Sequence, residues 1–78
     1  MGQRVTVVTR QGCHACEQAE ADVARICGDL GVGWGTEDVD GDAELRVEFG
    51  DRVPVILVDG EEHGFWRVDE PRLRAALT

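Results

Sequence analysis

Cys13 and Cys16 stand two residues apart, a spacing that suits two kinds of chemistry. Two thiols so close can exchange a disulfide, or they can supply half of a zinc site. Their setting separates the two. The pair follows a run with strand character and opens a run with helical character, the context of a redox motif. Only a thiolate attacks a disulfide. The N-terminus of a helix offers unpaired N–H groups and a partial positive charge, and both favour a thiolate at Cys13. Arg10, and His14 when protonated, push the same way. The spacing also predicts two roles. Cys13 lies at or before the first turn and is the exposed nucleophile. Cys16, three residues on, faces inward and resolves the mixed disulfide.

The elements that must hold this pair can be read along the chain. Arg4–Thr9 is rich in β-branched residues and predicts a strand, broken by Gln11 and Gly12. From Cys13 to Leu30 the period turns helical. Cys16, Ala19, Val23, Ile26 and Leu30 share one face, while Glu17, Glu20, Asp22, Arg25 and Asp29 fill much of the other. Gly31 then stops the helix. Val32–Val39 predicts a second strand anchored by Trp34 and Val39. Asp40–Asp42 offers caps for a short helix, Ala43–Phe49, ended by Gly50. Pro54–Val58 is a short apolar run that predicts a strand buried on both faces. Asp59–Gly60 predicts a hairpin turn, and Glu61–Arg67 the return strand. Asp69 caps a last helix with Pro71 in its first turn and Leu73, Ala76 and Leu77 inward. The expected fold is α/β, in the order β-α-β-α-β-β-α. Its four-stranded mixed sheet carries helices on both faces, as one domain over residues 1–78.

Composition narrows the function further. Eight basic residues face 16 acidic ones, for a net charge of −8. That balance argues against nucleic acid and against an anionic membrane surface. No apolar run approaches the roughly 20 residues that span a bilayer. The sequence predicts no signal peptide, and the expectation is a cytoplasmic monomer. The cysteine count, three, is odd, which does not suit a disulfide scaffold. Cys27, beside Ile26 on the helix, reads as a small buried hydrophobe. His63 reads as a surface histidine on the return strand. Asp38–Asp42 starts like a calcium loop, but Ala43 and Phe49 stand where that loop needs Gly and Glu. Trp34, Phe65 and Trp66 can form either an aromatic docking surface or part of the core.

Three stretches carry a resemblance. They are Thr9–Arg10–Gln11–Gly12–Cys13–His14–Ala15–Cys16, Arg52–Val53–Pro54–Val55 and Asp59–Gly60. On these the chain resembles a glutaredoxin-like member of the thioredoxin superfamily, of the short acidic type common in actinobacteria, over nearly its whole length. The resemblance implies a thioredoxin-like, glutaredoxin-type fold. It implies a dithiol oxidoreductase that reduces protein disulfides or glutathione mixed disulfides. It also implies a cis Pro54 beside the active-site disulfide, and backbone hydrogen bonds from Val53 to the substrate chain. Arg10 matches a basic position that contacts a glutathione carboxylate in glutaredoxins; as a residue it reads equally well as a solvated loop arginine. His14 and Asp69 complete the candidate substrate contacts, Asp69 doubling as a helix cap. No tightly bound cofactor is implied. Glutathione enters as co-substrate, and glutathione or a thioredoxin-reductase-type flavoenzyme as electron donor. Two departures stand out. His14–Ala15 replaces the Pro–Tyr of the best-known glutaredoxins. Gly64–Phe65–Trp66–Arg67–Val68–Asp69 occupies the region of their Gly-Gly-x-Asp stretch. The alternatives are a metal module drawing on Cys13, Cys16, Cys27 and His63 or His14, a dimer-bridging iron–sulfur cluster, and a non-catalytic docking domain.

Overall fold

The computed structural model describes residues 3–78. Eight elements follow in order: β1 (Val5–Thr9), α1 (His14–Leu30), β2 (Trp34–Asp38), a single 3-10 turn (Val39–Gly41), α2 (Ala43–Phe49), β3 (Val55–Val58), β4 (Glu61–Phe65) and α3 (Glu70–Leu77). The strands form one sheet in the order β2-β1-β3-β4. β1 pairs parallel with β2, and α1 supplies the crossover that such a pair requires. β3 pairs antiparallel with both β1 and β4. The chain therefore has the mixed α/β sheet expected from its sequence.

Strand periodicity divides the core in two. Val5 and Val7 of β1 point to one face, where Ile56 of β3 joins them. Ala19, Val23, Ile26 and Cys27 of α1 and Leu73 and Leu77 of α3 cover that face. Val8 and Val55, one residue out of phase, point to the other face and meet Val39 and Phe49. The register pairs Val7 with Ile56 and Val8 with Val55, so like faces coincide. Helices thus lie on both faces of the sheet.

The local signals act as their chemistry demands. Asp42 caps α2 by accepting the N–H groups of Glu44 and Leu45. Asp69 caps α3 by accepting that of Arg72 at 3.2 Å. Gly31 ends α1 at φ 68, a backbone that a side chain resists, and Val32 N–H closes onto the Cys27 carbonyl at 2.9 Å. Asp59 and Gly60 both have positive φ, as a two-residue hairpin turn requires. Arg4 ties this turn down with two hydrogen bonds to the Asp59 carboxylate. Glu70 accepts from Arg25 of α1 and Arg74 of α3, and these partners pull its carboxyl down to about 2.

Four expectations are corrected. β2 stops at Asp38, because that carboxylate accepts the Asp40 N–H at 2.9 Å and turns the chain. Val39 leaves the strand but is still fully buried. β4 stops at Phe65, because Trp66 adopts φ 71 and turns its N–H to the Pro54 carbonyl. Ala76 is exposed, since a helix as short as α3 buries only the i, i+4 pair Leu73 and Leu77. His63 is half-buried, and its Nε2 is buried without a hydrogen-bond partner.

Candidate active site

Cys13 is the N-cap of α1. Its backbone is extended (φ −98, ψ 109), and Gly12 before it sits at φ 74. Glycine alone takes that left-handed step without strain, so the chain can turn sharply from β1 into α1. The Cys16 N–H donates to Cys13 Sγ at 3.1 Å. Sulfur here takes the capping role usually filled by a Ser or Asp oxygen. Cys13 is half-buried, whereas Cys16 is 1% exposed behind it. Both are free thiols.

Burial pushes the Cys16 thiol up, to about 11, and its hydrogen bond with Cys13 adds to the rise. The Arg10 backbone opposes it. The Cys16 proton is therefore held tightly at neutral pH. This has a consequence for folding. A thiol raised from an ordinary 9.0 favours the folded state fully below pH 9, where the unfolded chain is also protonated. Above that pH the unfolded chain releases its proton first, and the stabilisation is lost by about pH 11. Once Cys13 and Cys16 are joined there is no proton to lose. Urea unfolding of the reduced protein is thus expected to weaken between pH 9 and about 11 more steeply than that of the oxidised protein. Cys27, raised by burial alone, is common to both forms and cancels. Equal slopes would show that Cys16 is solvated.

The sheet register brings the other candidates to the same place. β3 runs antiparallel to β1, with Val8 opposite Val55. The end of β1 that leads into Cys13 therefore lies at the end of the sheet where Pro54 enters β3. Phe65 pairs with Val55, so β4 finishes there too. The Val53–Pro54 peptide bond is cis, and Pro54 is buried. The Pro54 carbonyl accepts the Trp66 N–H at 2.7 Å. The N–H and C=O of Val53 enter no backbone hydrogen bond among the described residues.

The remaining candidates are placed differently. The Arg10 guanidinium spans the Asp40 carboxylate at 2.9 and 3.2 Å and donates to the Gly50 carbonyl at 3.1 Å. Though part-exposed, it is not free: it fastens the end of β1 to the 3-10 turn and to the end of α2. The His14 side chain is 98% exposed, with Nδ1 3.6 Å from Glu17 Oε2. Asp69 serves as the α3 cap and lines a cavity of about 270 Å³ with Ile56, His63, Arg67 and Leu73. Burial, and then Arg72, lower the His63 pKa.

Arg52 begins one of the stretches that carry the resemblance, but sequence reading assigned it no part of its own. Its guanidinium lies 5.6 Å from the Phe49 ring and 5.8 Å from the Phe65 ring. It also donates to the Glu62 carboxylate and the Glu48 carbonyl. It therefore braces the segment just before Val53–Pro54 against β4. No local signal marks it, because its partners come from two elements, α2 and β4. Cys27 is fully buried in the α1 core. Among the described residues, no three His, Cys, Asp or Glu side chains gather as a metal site. The donor set proposed for a metal module does not converge within one chain.

Residues 4–78 match the model of the glutaredoxin-like domain (DUF836). An uncharacterized protein of Mycobacterium tuberculosis is 47% identical over 79 residues, covering 95% of this chain and 81% of that one. The X-ray structure of the structural-genomics target XcR50 from X. campestris is 34% identical, with a TM-score of 0.74, covering 94% of this chain and 93% of the other. A mutant thioredoxin from Halobacterium salinarum shares the fold alone. It is 24% identical with a TM-score of 0.63, over 94% of this chain and 69% of its own.

Proposed function

The chain belongs to the glutaredoxin-like domain family (DUF836), and we propose that it is a dithiol disulfide oxidoreductase working through Cys13 and Cys16. The observation that carries this is the pairing of a half-buried Cys13 Sγ, held by the Cys16 N–H at 3.1 Å, with a Cys16 thiol buried directly behind it. The family and the fold support a redox role in general.

In that reading the Cys13 thiolate attacks one sulfur of a substrate disulfide. A bond forms from Cys13 Sγ to that sulfur, the substrate S–S bond breaks, and the leaving thiolate takes a proton from water. Cys16 then loses its proton and attacks Cys13 Sγ, releasing the second substrate thiol. Two electrons have passed to the substrate, and the pair ends as a disulfide. Part of what holds the Cys16 proton is Cys13 itself, as a hydrogen-bond partner and as a charge. Forming the mixed disulfide removes that charge, so Cys16 becomes a readier nucleophile when it is needed. His14, exposed beside Cys13, and Val53, with its backbone groups unengaged, meet the substrate. Pro54 packs behind them. Arg10 and Asp69 hold the walls of the site.

The substrates are protein disulfides or glutathione mixed disulfides. Glutathione or a thioredoxin-reductase-type flavoenzyme returns the electrons, and the setting is a cytoplasmic monomer with no tightly bound cofactor. Among the described residues, no helix is long and apolar enough to cross a membrane. The test is to equilibrate metal-free protein across a series of thiol/disulfide buffers and count free thiols by alkylation and mass. One two-electron transition confined to Cys13 and Cys16 is expected. A pair that stays reduced across the series would overturn the reading.

A further inference from the structure

Trp66 has a backbone that its bond to Pro54 fixes, but a side chain that the fold leaves unused. It sits at φ 71, a left-handed backbone that a non-glycine residue resists. Its ring is also spent on solvent, since the residue is 60% exposed. Phe65, 41% exposed, braces it edge to face, with ring centroids 5.0 Å apart. The Trp66 N–H is bound to Pro54, so this aromatic pair stands at the rim of the Cys13 site. A bulky residue kept in a strained, exposed position points to contact with something outside the chain.

The opposite rim has another chemistry. Asp38 and Asp40 lie beside Arg10 at the end of β2, Glu20 lies near Cys16, and Glu17 faces His14. Arg10 is paired with Asp40 and Arg46 also acts on that carboxylate, so Asp38, Glu17 and Glu20 carry most of the rim's charge. Arg67 follows Trp66 and the Arg52 guanidinium lies over the Phe65 ring, so the aromatic rim carries two cations on a chain whose sum is −8. In the order β2-β1-β3-β4, Asp38 and Asp40 sit at the β2 end and the aromatic pair at the β4 end, with Cys13 and Pro54 between; Glu17 and Glu20 add their charge from the first turns of α1. Three strand spacings of about 4.8 Å separate the rims, a span that roughly four extended residues cover.

We propose that these rims select the substrate: a disulfide on an extended polypeptide whose cysteine lies between a basic residue and an apolar residue about four positions apart. The inference rests on the dithiol reading above and names its substrate class. Glutathione disulfide fits poorly, because its carboxylates would meet the acidic rim and it has no apolar side chain for Trp66.

The probes are three five-residue peptides carrying cysteine at the centre as a mixed disulfide with a chromophoric thiol. Their outer positions are Lys and Leu, Glu and Leu, or Lys and Ser. Wild type is expected to favour the Lys–Leu peptide over each of the others by about tenfold in kcat/KM, mostly through KM. The preference over the Glu peptide should shrink toward unity at about 0.5 M salt, where screening is strong. Trp66→Gly suits the left-handed backbone and keeps the N–H to Pro54. It should erase the preference for Leu over Ser and leave the Lys-over-Glu preference in place. A structural role for Trp66 would instead slow all three peptides alike and preserve every ratio, which overturns the proposal. So would a wild type that does not discriminate, or that prefers glutathione disulfide to the Lys–Leu peptide. A wild type inert toward all of these disulfides would sink the dithiol reading, and this inference with it.

Discussion

Replacing Cys13 with serine is expected to lower disulfide reduction by more than about a thousandfold, because a hydroxyl is neither ionised near neutral pH nor able to form the mixed disulfide. The fold should survive the change. Serine caps a helix at least as well as cysteine, and its oxygen can accept the Cys16 N–H that Sγ now accepts. Cys16 cannot substitute, since it is 1% exposed and a substrate disulfide cannot reach it, and burial still raises its pKa. The partner variant sharpens the result. Cys16→Ser should still attack but should not resolve, so intact-mass measurement would find substrate bound to Cys13. A Cys13→Ser protein with substantial activity would move the nucleophile elsewhere and undo the assignment of roles.

The largest expected loss of stability comes from Ile26. It is fully buried among Val5, Val7, Ala19, Val23, Ile56 and Leu73, where α1 meets the sheet. Ile26→Ala should cost about 2–5 kcal/mol in urea unfolding, from lost burial and the cavity left behind. Domains of this size hold only about 5–15 kcal/mol in total, so the variant would sit near the edge of folding. Helix propensity offsets little of this, since alanine gains only a few tenths of a kcal/mol. Val47→Ala is the control. Val47 is 87% exposed on α2, and its loss should stay within about 0.5 kcal/mol. Ile26 shares α1 with Cys13, the N-cap of that helix, so loosening α1 should also slow the redox reaction. Equal stability of the two variants would mean that the face read as core is not one.

Much of this was legible without coordinates, and for a common reason. A cap, a stop and a hairpin turn are decisions taken within a few residues. Cys13 opening a helix, Asp42 and Asp69 capping two others, Gly31 ending the first and Asp59–Gly60 turning the hairpin all depend on groups within about five positions of each other. The amphipathic period of α1 likewise placed Cys16 inward beside Ala19 and Val23. The two thiols and their unequal exposure therefore followed from spacing.

The less legible features join residues that are far apart in the chain. Arg10 reads as solvated or as a ligand contact until Asp40, thirty residues on, is seen to hold it. His63 lies at an irregularity in the β3–β4 register, and only that register and the cover of α3 bury its Nε2. Arg52 braces the Pro54 segment through partners on α2 and β4. Trp66 carries no sequence mark of a left-handed backbone; the Pro54 carbonyl imposes it. By itself, then, the sequence determined the elements, the ends of the helices and the redox-spaced pair, because backbone hydrogen bonding and side-chain period act over short stretches. The tertiary structure decided which side chains surround that pair, how tightly Cys16 holds its proton and what stands on either rim. Burial and cross-strand register are properties of the assembled sheet, and no single stretch of chain possesses them.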